Sequence, residues 1–381
     1  MNRVEKKIID VVNKKKNLLF FIIITCLGII ARLSGIHLIS KDMEYWLVPW
    51  YNEFVNNGGF DALGKQIGDY NILYQTIVAA MTYIKLDCVL CYKLLSIIFD
   101  YVLAFSGAFL YCTISKKKSL SMSFNICYSV LLFLPTIVLN SAFWGQCDSI
   151  YASFVILTIL FLYKEKYPLA FVMLGIAFSF KFQTIFILPF IICYYFYKKK
   201  FSFLWFFVSL LVFWLSGIGG YIKGRSLLAP FIIYLKQTQT HPSMYMGNPS
   251  FWGIIGNDYN CLNVFAIILT IVLFGLALYY VMNEKINLSK PENYFCLAAW
   301  SIWTCVLFLP AMHERYLYIL DVLLVILAFW NKKYLKYAVL SVLFSLVSYG
   351  VFLFELESFS KGELLIYIIA WVHFTSLLLK E

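Results

Sequence analysis

Charged residues are scarce in this chain. Asp, Glu, Lys and Arg make up 13% of its 381 residues, against about 25% in a typical soluble domain, while 62% of the residues are hydrophobic. A chain with so little charge cannot cover its own core with a polar surface. The composition therefore excludes a soluble enzyme and a disordered chain. Its apolar runs of about 18–20 residues predict an all-α integral membrane protein rather than a β-barrel.

Cysteine is also too sparse for a secreted disulfide scaffold, since the whole chain has ten. Most of them, such as Cys112, Cys193 and Cys305, lie inside apolar runs and are interpreted as packing residues. Cys88 and Cys91 have the spacing of a metal-binding or redox pair. No second pair and no His-rich segment accompanies them, which favours packing there as well.

The charge that is present is mostly basic, with 31 Lys and Arg against 20 Asp and Glu. In a membrane protein the positive-inside rule explains such an excess, so we expect contacts with membrane lipids and no nucleic-acid partner. With a cytoplasmic N-terminus, 20 of the 31 basic residues fall in cytoplasmic segments. These segments are 1–16, 113–120, 164–166, 198–200, 283–292, 331–336 and the C-terminus.

The apolar runs predict about twelve transmembrane helices, within a range of 10–13, in one polytopic domain over 1–381. Two long connections, 37–87 and 221–261, are then external, and 71–86 is expected to be an interfacial helix. Both chain termini are cytoplasmic. The predicted helices are 17–36, 88–112, 121–140, 149–163, 167–180, 183–197, 201–220, 262–282, 293–310, 316–330, 334–353 and 362–379.

The first external connection begins with two acidic residues beside a dense aromatic patch. Asp42 lies at the predicted exit of the first helix, where a partly desolvated carboxylate is suited to act as a general base. Glu44 follows closely. The aromatic residues suit an interfacial belt, and they also suit stacking against a sugar ring. They are Trp46, Trp50 and Tyr51.

Further polar clusters fall on the same predicted side of the membrane. Asp148 is either an N-cap of the helix after it or a site carboxylate. Lys181 either extends its ammonium group to the interface or binds a phosphate. The run His313-Glu314-Arg315-Tyr316 either terminates two helices or holds a phosphate through Arg315. Inside the membrane, Lys93 and Asp100 share a helix face and are interpreted as structural or as lining a polar cavity.

Three of these blocks resemble the GT-C superfamily of polytopic glycosyltransferases, specifically its bacterial mannosyltransferase-like branch. They run from Ser40 to Tyr70, from Trp144 to Pro189 and from His313 to Tyr318. The resemblance implies transfer of a hexose from a polyprenyl-phosphate-sugar donor to a glycan or lipid-linked acceptor on the extracytoplasmic face of the cell membrane. No Gly-rich nucleotide loop and no Asp-x-Asp motif occurs, so neither a metal nor another cofactor is expected.

The resemblance also implies roles for individual residues. Asp42 acts as the general base, although the order Asp-Met-Glu leaves its division of labour with Glu44 open. Lys181, His313 and Arg315 bind the donor phosphate. The sugar or acceptor pocket contains Trp46, Trp50, Tyr51, Asp69, Gln146, Asp148, Gln183, Glu314 and Tyr316.

Two other classes of protein fit the same composition. A transporter or flippase of lipid-linked sugars would use Lys181 and Arg315 as a phosphate relay, and it predicts polar residues along a path across the membrane. A polysaccharide polymerase or ligase would also act on lipid-linked glycans outside the cell. The distinctive polar motifs lie on one predicted side only, which favours a transferase over a transporter.

Overall fold

The computed structural model describes residues 2–380, and it is 76% helical with almost no sheet. Its α-helices are α1 (Arg3–Leu33), α2 (Val48–Asn56), α3 (Ile72–Met81), α4 (Cys88–Ile114), α5 (Met122–Leu132), α6 (Pro135–Val138), α7 (Asp148–Tyr163), α8 (Tyr167–Phe180), α9 (Leu188–Lys198), α10 (Leu204–Leu215), α11 (Ile218–Ile222), α12 (Ala229–Thr240), α13 (Trp252–Ile255), α14 (Tyr259–Met282), α15 (Pro291–Phe308), α16 (Tyr318–Trp330), α17 (Leu335–Phe354) and α18 (Lys361–Lys380).

Short elements of other kinds interrupt this series. Two π-helical segments cover Met43–Leu47 and Leu139–Trp144. Three 3₁₀ segments cover Gly59–Gly64, Phe182–Ile187 and Lys332–Tyr334. Two strands, β1 (Tyr245–Met246) and β2 (Met312–His313), pair in parallel. Every predicted helix therefore corresponds to helical structure, and the all-α prediction is confirmed.

Within residues 2–380, five helical segments are long and apolar enough to cross a membrane, or six if the bent pair Met122–Leu132 and Pro135–Trp144 counts as one span. In the most apolar part of α14 only 17% of the residues are buried inside the protein. A helix that is apolar on all sides and so little covered needs an apolar solvent, which a bilayer supplies. The chain is therefore an all-helical membrane protein.

The predicted number of about twelve crossings stays a prediction. Six further apolar helices have only 10–17 residues. At 1.5 Å per residue, the 14 residues of α8 extend about 21 Å, which is less than the roughly 30 Å of a hydrocarbon core. Such helices cross a bilayer only together with the residues that flank them.

The connections between helices gather at two ends of the bundle. At one end lysines form ion pairs between neighbouring connections, as in Lys198 with Glu165 at 2.5 Å and Lys333 with Glu292 at 2.6 Å. At the other end lie the predicted site residues and the two long connections. There Lys223 contacts Asp61 at 2.5 Å, so the second long connection packs on the first.

Buried ionic contacts tie the first helices together. Arg32 on α1 donates from Nε to Asp100 Oδ2 on α4 at 2.8 Å, and Ser141 Oγ donates to the same oxygen at 2.5 Å. Lys93 on α4 donates to the carbonyl oxygens of Gly35 at 2.8 Å and Ile36 at 3.2 Å, just after α1. Both groups are fully buried and have partners, in agreement with the structural interpretation of Lys93 and Asp100.

Candidate functional site

Ser40 fixes Asp42 next to the connection Trp144–Asp148, which precedes α7. Ser40 Oγ donates to the carbonyl oxygen of Trp144 at 2.8 Å and accepts from the backbone N–H of Met43 at 3.2 Å. The π-helical segment Met43–Leu47 begins immediately after Asp42. Segments of this kind are rare and often lie at functional sites. The first long connection thus holds one carboxylate against the connection before α7.

The two oxygens of the Asp42 carboxylate differ in their surroundings. Oδ2 accepts from Trp144 Nε1 at 2.9 Å and from Gln146 Nε2 at 2.6 Å. Oδ1 has no hydrogen-bond donor within residues 2–380, and the side chain keeps 18% of its surface exposed. One oxygen therefore orients the carboxylate, and the other is free to meet a ligand.

A left-handed glycine lets both donors reach Asp42. Gly145 has φ +80°, and a Cβ atom there would lie 2.3 Å from Cε of Met43. Only glycine combines this backbone conformation with so close an approach. The turn places the Trp144 indole and the Gln146 amide on the same carboxylate oxygen.

Asp148 and Lys181 form a buried ion pair below Asp42. Lys181 Nζ donates to Asp148 Oδ1, and Asn140 Nδ2 donates to Asp148 Oδ2 at 2.8 Å. Their side chains are 2% and 6% exposed. Asp148 is the first residue of α7, Cys147 is the N-cap, and no side chain caps this helix. The capping interpretation of Asp148 is therefore wrong, because its carboxylate serves Lys181 and Asn140 instead.

Arg315 connects the two carboxylates. Its Nη1 lies 3.6 Å from Asp42 Oδ2 and donates to Glu314 Oε1 at 3.2 Å, while its Nε lies 3.9 Å from Asp148 Oδ2. The guanidinium stacks over the Trp144 ring at 5.6 Å. Nε has no hydrogen-bond acceptor in the described structure although it is buried. A guanidinium has five N–H donors, so Arg315 keeps donors available for an anionic partner.

Neighbouring charges favour the charged forms of Arg315 and Glu314. Burial lowers the pKa of Arg315, but Glu314, Asp42 and Asp148 raise it further, so its pKa lies above its ordinary value. Burial raises the pKa of Glu314, yet the neighbouring His313 ring and the charge of Arg315 outweigh it and lower that pKa. Leaving His313 aside, the carboxylates of Asp42, Asp148 and Glu314 and the cations of Lys181 and Arg315 sum to a formal charge of −1.

His313 reaches the cluster through the short sheet. β2 pairs with β1 of the second long connection, so that Met246 lies beside His313. His313 Nδ1 lies 3.8 Å from Glu314 Oε2, and its ring contacts those of Tyr316 at 5.3 Å and His241 at 4.9 Å. Burial raises the pKa of Tyr316 to about 12, and Gln183 lies beside its hydroxyl.

An aromatic row leads from the protein surface towards Asp42. Trp46 is 55% exposed, and its ring centroid lies 6.1 Å from that of Trp50. Trp50 meets Tyr70 edge-on at 6.0 Å, and the Tyr70 hydroxyl donates to Gln146 Oε1 at 3.3 Å. Such a row offers flat apolar faces that end at hydrogen-bonding groups, as carbohydrate-binding surfaces do.

Three predicted residues lie away from this cluster. Tyr51 is buried and packs against Tyr92 at 6.5 Å. Glu44 is exposed, and its carboxylate has no hydrogen-bond or ion-pair partner in the described chain. Asp69 is exposed and contributes its carbonyl oxygen to a 2.7 Å hydrogen bond from Gln237. Of Asp42 and Glu44, the two acids at the start of the first connection, Asp42 is the one that joins the charged cluster.

The sequence alone did not single out several contributors. Asn140, Tyr70 and His241 all contact predicted site residues, and Trp144 stands out in the sequence only as the first residue of the block Trp144 to Pro189. Asn140 interrupts an apolar run, and such an amide is a usable signal because it needs buried partners. Nothing in the local sequence reveals that His241 lies beside His313.

No group of three or more His, Cys, Asp or Glu side chains is arranged to hold a metal ion among residues 2–380. The cluster offers the free Oδ1 of Asp42, the remaining N–H donors of Arg315 and the aromatic row Trp46, Trp50 and Tyr70.

Comparison with models of protein families and with curated proteins finds no match for the chain. Any function must therefore be argued from the site itself.

Proposed function

We propose that the chain is a glycosyltransferase of the GT-C type, which moves a hexose from a polyprenyl-phosphate carrier to a hydroxyl of a cell-envelope glycan or lipid-linked acceptor. The main support is the geometry of Asp42. One of its oxygens is tethered by Trp144 and Gln146, and the other is free in a partly open site. A carboxylate fixed in this way is oriented to accept a proton, which is the task of a general base.

The proposed reaction uses Asp42 Oδ1 together with the guanidinium group of Arg315. Asp42 Oδ1 takes the proton of the acceptor hydroxyl as that oxygen attacks the anomeric carbon of the sugar. The bond from this carbon to the phosphate oxygen breaks, and the configuration inverts. The carrier phosphate leaves as an anion, so it needs electrostatic stabilisation more than a proton. Arg315 supplies that stabilisation, assisted by His313.

The buried pair has a supporting role in this proposal. Lys181 is already bound to Asp148, so its charge acts on the donor phosphate from behind Arg315 rather than by direct contact. Asp148 in turn lies 3.9 Å from Arg315 Nε and limits where the guanidinium can point. Trp46, Trp50 and Tyr70 provide the stacking surface for the sugar or the acceptor. The active site then faces the extracytoplasmic side.

The experiment is a screen of radiolabelled polyprenyl-phosphate sugars with purified wild-type protein and candidate acceptors. For the productive pair, we expect Asp42→Asn to lower the transfer rate by about 10²–10⁴-fold while donor binding is largely retained. Asp61→Asn is the matched control, since Asp61 is an exposed acid of the same connection that pairs with Lys223. Near-normal turnover by Asp42→Asn would remove Asp42 from the role of base.

The phosphate assignment has a separate readout. Arg315→Ala is expected to weaken donor binding and to lower the rate, because the leaving phosphate loses its bidentate partner. Arg315→Lys keeps the charge but loses the planar fork, so it should recover only part of the activity. An Arg315→Ala variant with unchanged rate and donor affinity would exclude this residue from the phosphate site.

A transporter of lipid-linked sugars is the second candidate. It is favoured by ionisable groups that lie inside the bundle below the site, namely the Arg32–Asp100 pair and Asp321. Such groups often mark transport paths. Proteoliposomes distinguish the two functions, because a transporter moves the intact lipid-linked sugar between leaflets and forms no new glycosidic product. A polymerase or ligase would instead form products from a lipid-diphosphate glycan donor.

A further inference from the structure

Asp321 is a fully buried acid that the site described above does not use. It lies in the first turn of α16 with no exposed surface. Its Oδ1 accepts from Ser341 Oγ on α17 at 2.6 Å, whereas its Oδ2 has no hydrogen-bond donor. No Lys, Arg or His side chain in the described part of the chain forms an ion pair with it. In this respect Asp321 differs from Asp100, which Arg32 neutralises.

Unpartnered hydroxyl groups surround this carboxylate. The hydroxyls of Thr136 on α6 and Ser345 on α17 lie beside it, and neither makes a hydrogen bond within residues 2–380. The Tyr367 hydroxyl on α18 is close to Asp321 and also lacks a partner there. All of these side chains are fully buried. Side chains of four helices therefore place polar oxygens near one another. Four of these oxygens make no hydrogen bond within residues 2–380, namely Asp321 Oδ2, Thr136 Oγ1, Ser345 Oγ and the Tyr367 hydroxyl oxygen.

An arrangement of this kind is costly unless something binds to it. An unpaired carboxylate inside a protein is strongly destabilising, and each buried hydroxyl without a partner adds to the desolvation cost. A proton on Asp321 would remove the charge and satisfy one of these oxygens. A small cation can accept several oxygen ligands at once, and hard cations prefer carboxylate and hydroxyl oxygens. A single carboxylate balances one positive charge, which selects a monovalent ion.

We propose that Asp321, Thr136, Ser341 and Ser345 form a binding site for a sodium ion inside the helix bundle. The ion links α6, α16 and α17. Asn140, which follows α6 in the chain, donates to Asp148 of the outer cluster. The ion site stabilises the fold and stands independently of the transferase proposal. Its role is the same whether the outer cluster transfers sugars or binds them for transport.

The test measures thermal unfolding of the purified full-length protein in detergent. Sodium chloride is compared with potassium chloride and with N-methyl-D-glucamine chloride at equal ionic strength. We expect sodium to raise the unfolding midpoint by about 3 °C or more, with a saturable dependence on its concentration. Asp321→Asn should abolish this response. Ser345→Ala should shift the sodium titration to at least about tenfold higher concentration.

A neighbouring serine provides the matched control. Ser348 lies on the same helix and is equally buried, but its Oγ donates to the carbonyl of Gly247 at 3.0 Å. Ser348→Ala should keep the wild-type sodium titration. Equal midpoints for the wild-type protein in sodium and in the organic cation would overturn the proposal, and so would an unchanged titration in Ser345→Ala. Both measurements remain available if Asp321→Asn does not fold.

Discussion

Trp144 illustrates how single residues are shared within this site. Its indole N–H holds Asp42, its ring lies under the Arg315 guanidinium, and its other contacts are Tyr349 and Phe352 on α17. One fully buried side chain thus fixes the position of a carboxylate and of its nearest cation. The distance between the proposed base and the proposed phosphate ligand is therefore set by packing rather than by the two charged side chains alone.

The ion pair of Lys181 and Asp148 leads to a stability prediction at the same scale. Lys181→Met keeps the length of the side chain but leaves the buried Asp148 carboxylate without its cation. We expect a loss of about 3–5 kcal/mol of unfolding free energy, seen as a lower thermal midpoint. The double variant Lys181→Met with Asp148→Leu should recover much of it, because no charge is then left unpaired.

The contrasting control is an exposed pair. Lys41 contacts Glu355 at 2.5 Å, and both side chains are more than half exposed. Lys41→Met should leave the thermal midpoint nearly unchanged, since water screens such exposed pairs. If both lysine substitutions lowered the midpoint equally, the Lys181–Asp148 pair would not be the buried contact described above.

Sequence reasoning at the residue scale identified the charged members of the site but not their pairing. Asp42, Asp148, Lys181 and Arg315 stand out because ionisable groups are rare in an apolar chain. Their contacts depend on how four separate connections meet, and no local pattern encodes that. Nor does the sequence show that Tyr51, which follows Trp50 on α2, turns its side chain inward to Tyr92.

At the scale of elements, tight turns position the site more than regular helix does. Two π-helical segments, Met43–Leu47 and Leu139–Trp144, end or begin next to site residues, and Gly145 closes the second of them. The predicted helix 121–140 is in fact bent by 50° between α5 and the segment that starts at Pro135. A proline cannot continue the hydrogen-bond ladder, so this break was readable from the sequence. The π segments were not.

Gly145 provides the prediction at this scale. Gly145→Ala places a methyl group against Met43 and forces an unfavourable left-handed backbone, so the turn should shift Trp144 and Gln146 away from Asp42. We expect a transfer rate at least about tenfold lower, together with about 1–3 kcal/mol lower stability. Gly275→Ala on α14 is the control, because a Cβ there meets nothing within 4 Å and should leave the rate unchanged.

At the scale of the whole molecule, lysine-rich connections and the candidate site lie at opposite ends of the helix bundle. Lysine-rich connections gather at one end, where Lys198 and Lys200 both contact Glu165. The candidate site and both long connections gather at the other. Amphipathic periodicity played little part in predicting this fold, because apolar runs and the placement of lysines were enough. The number of about twelve crossings stays a prediction, since short helices such as α8 fall below the length of a bilayer core.

Orientation in the membrane is the prediction at this scale. The positive-inside rule places the lysine-rich end in the cytoplasm and the site outside. In a background with the two exposed cysteines, Cys26 and Cys261, changed to serine, single cysteines are introduced at Asp61 and at Lys199. We expect a membrane-impermeant maleimide to label Asp61→Cys in intact cells, and Lys199→Cys only after the cells are opened. Labelling of Lys199→Cys alone in intact cells would invert the topology, and the site would then face nucleotide-activated rather than extracytoplasmic lipid-linked donors.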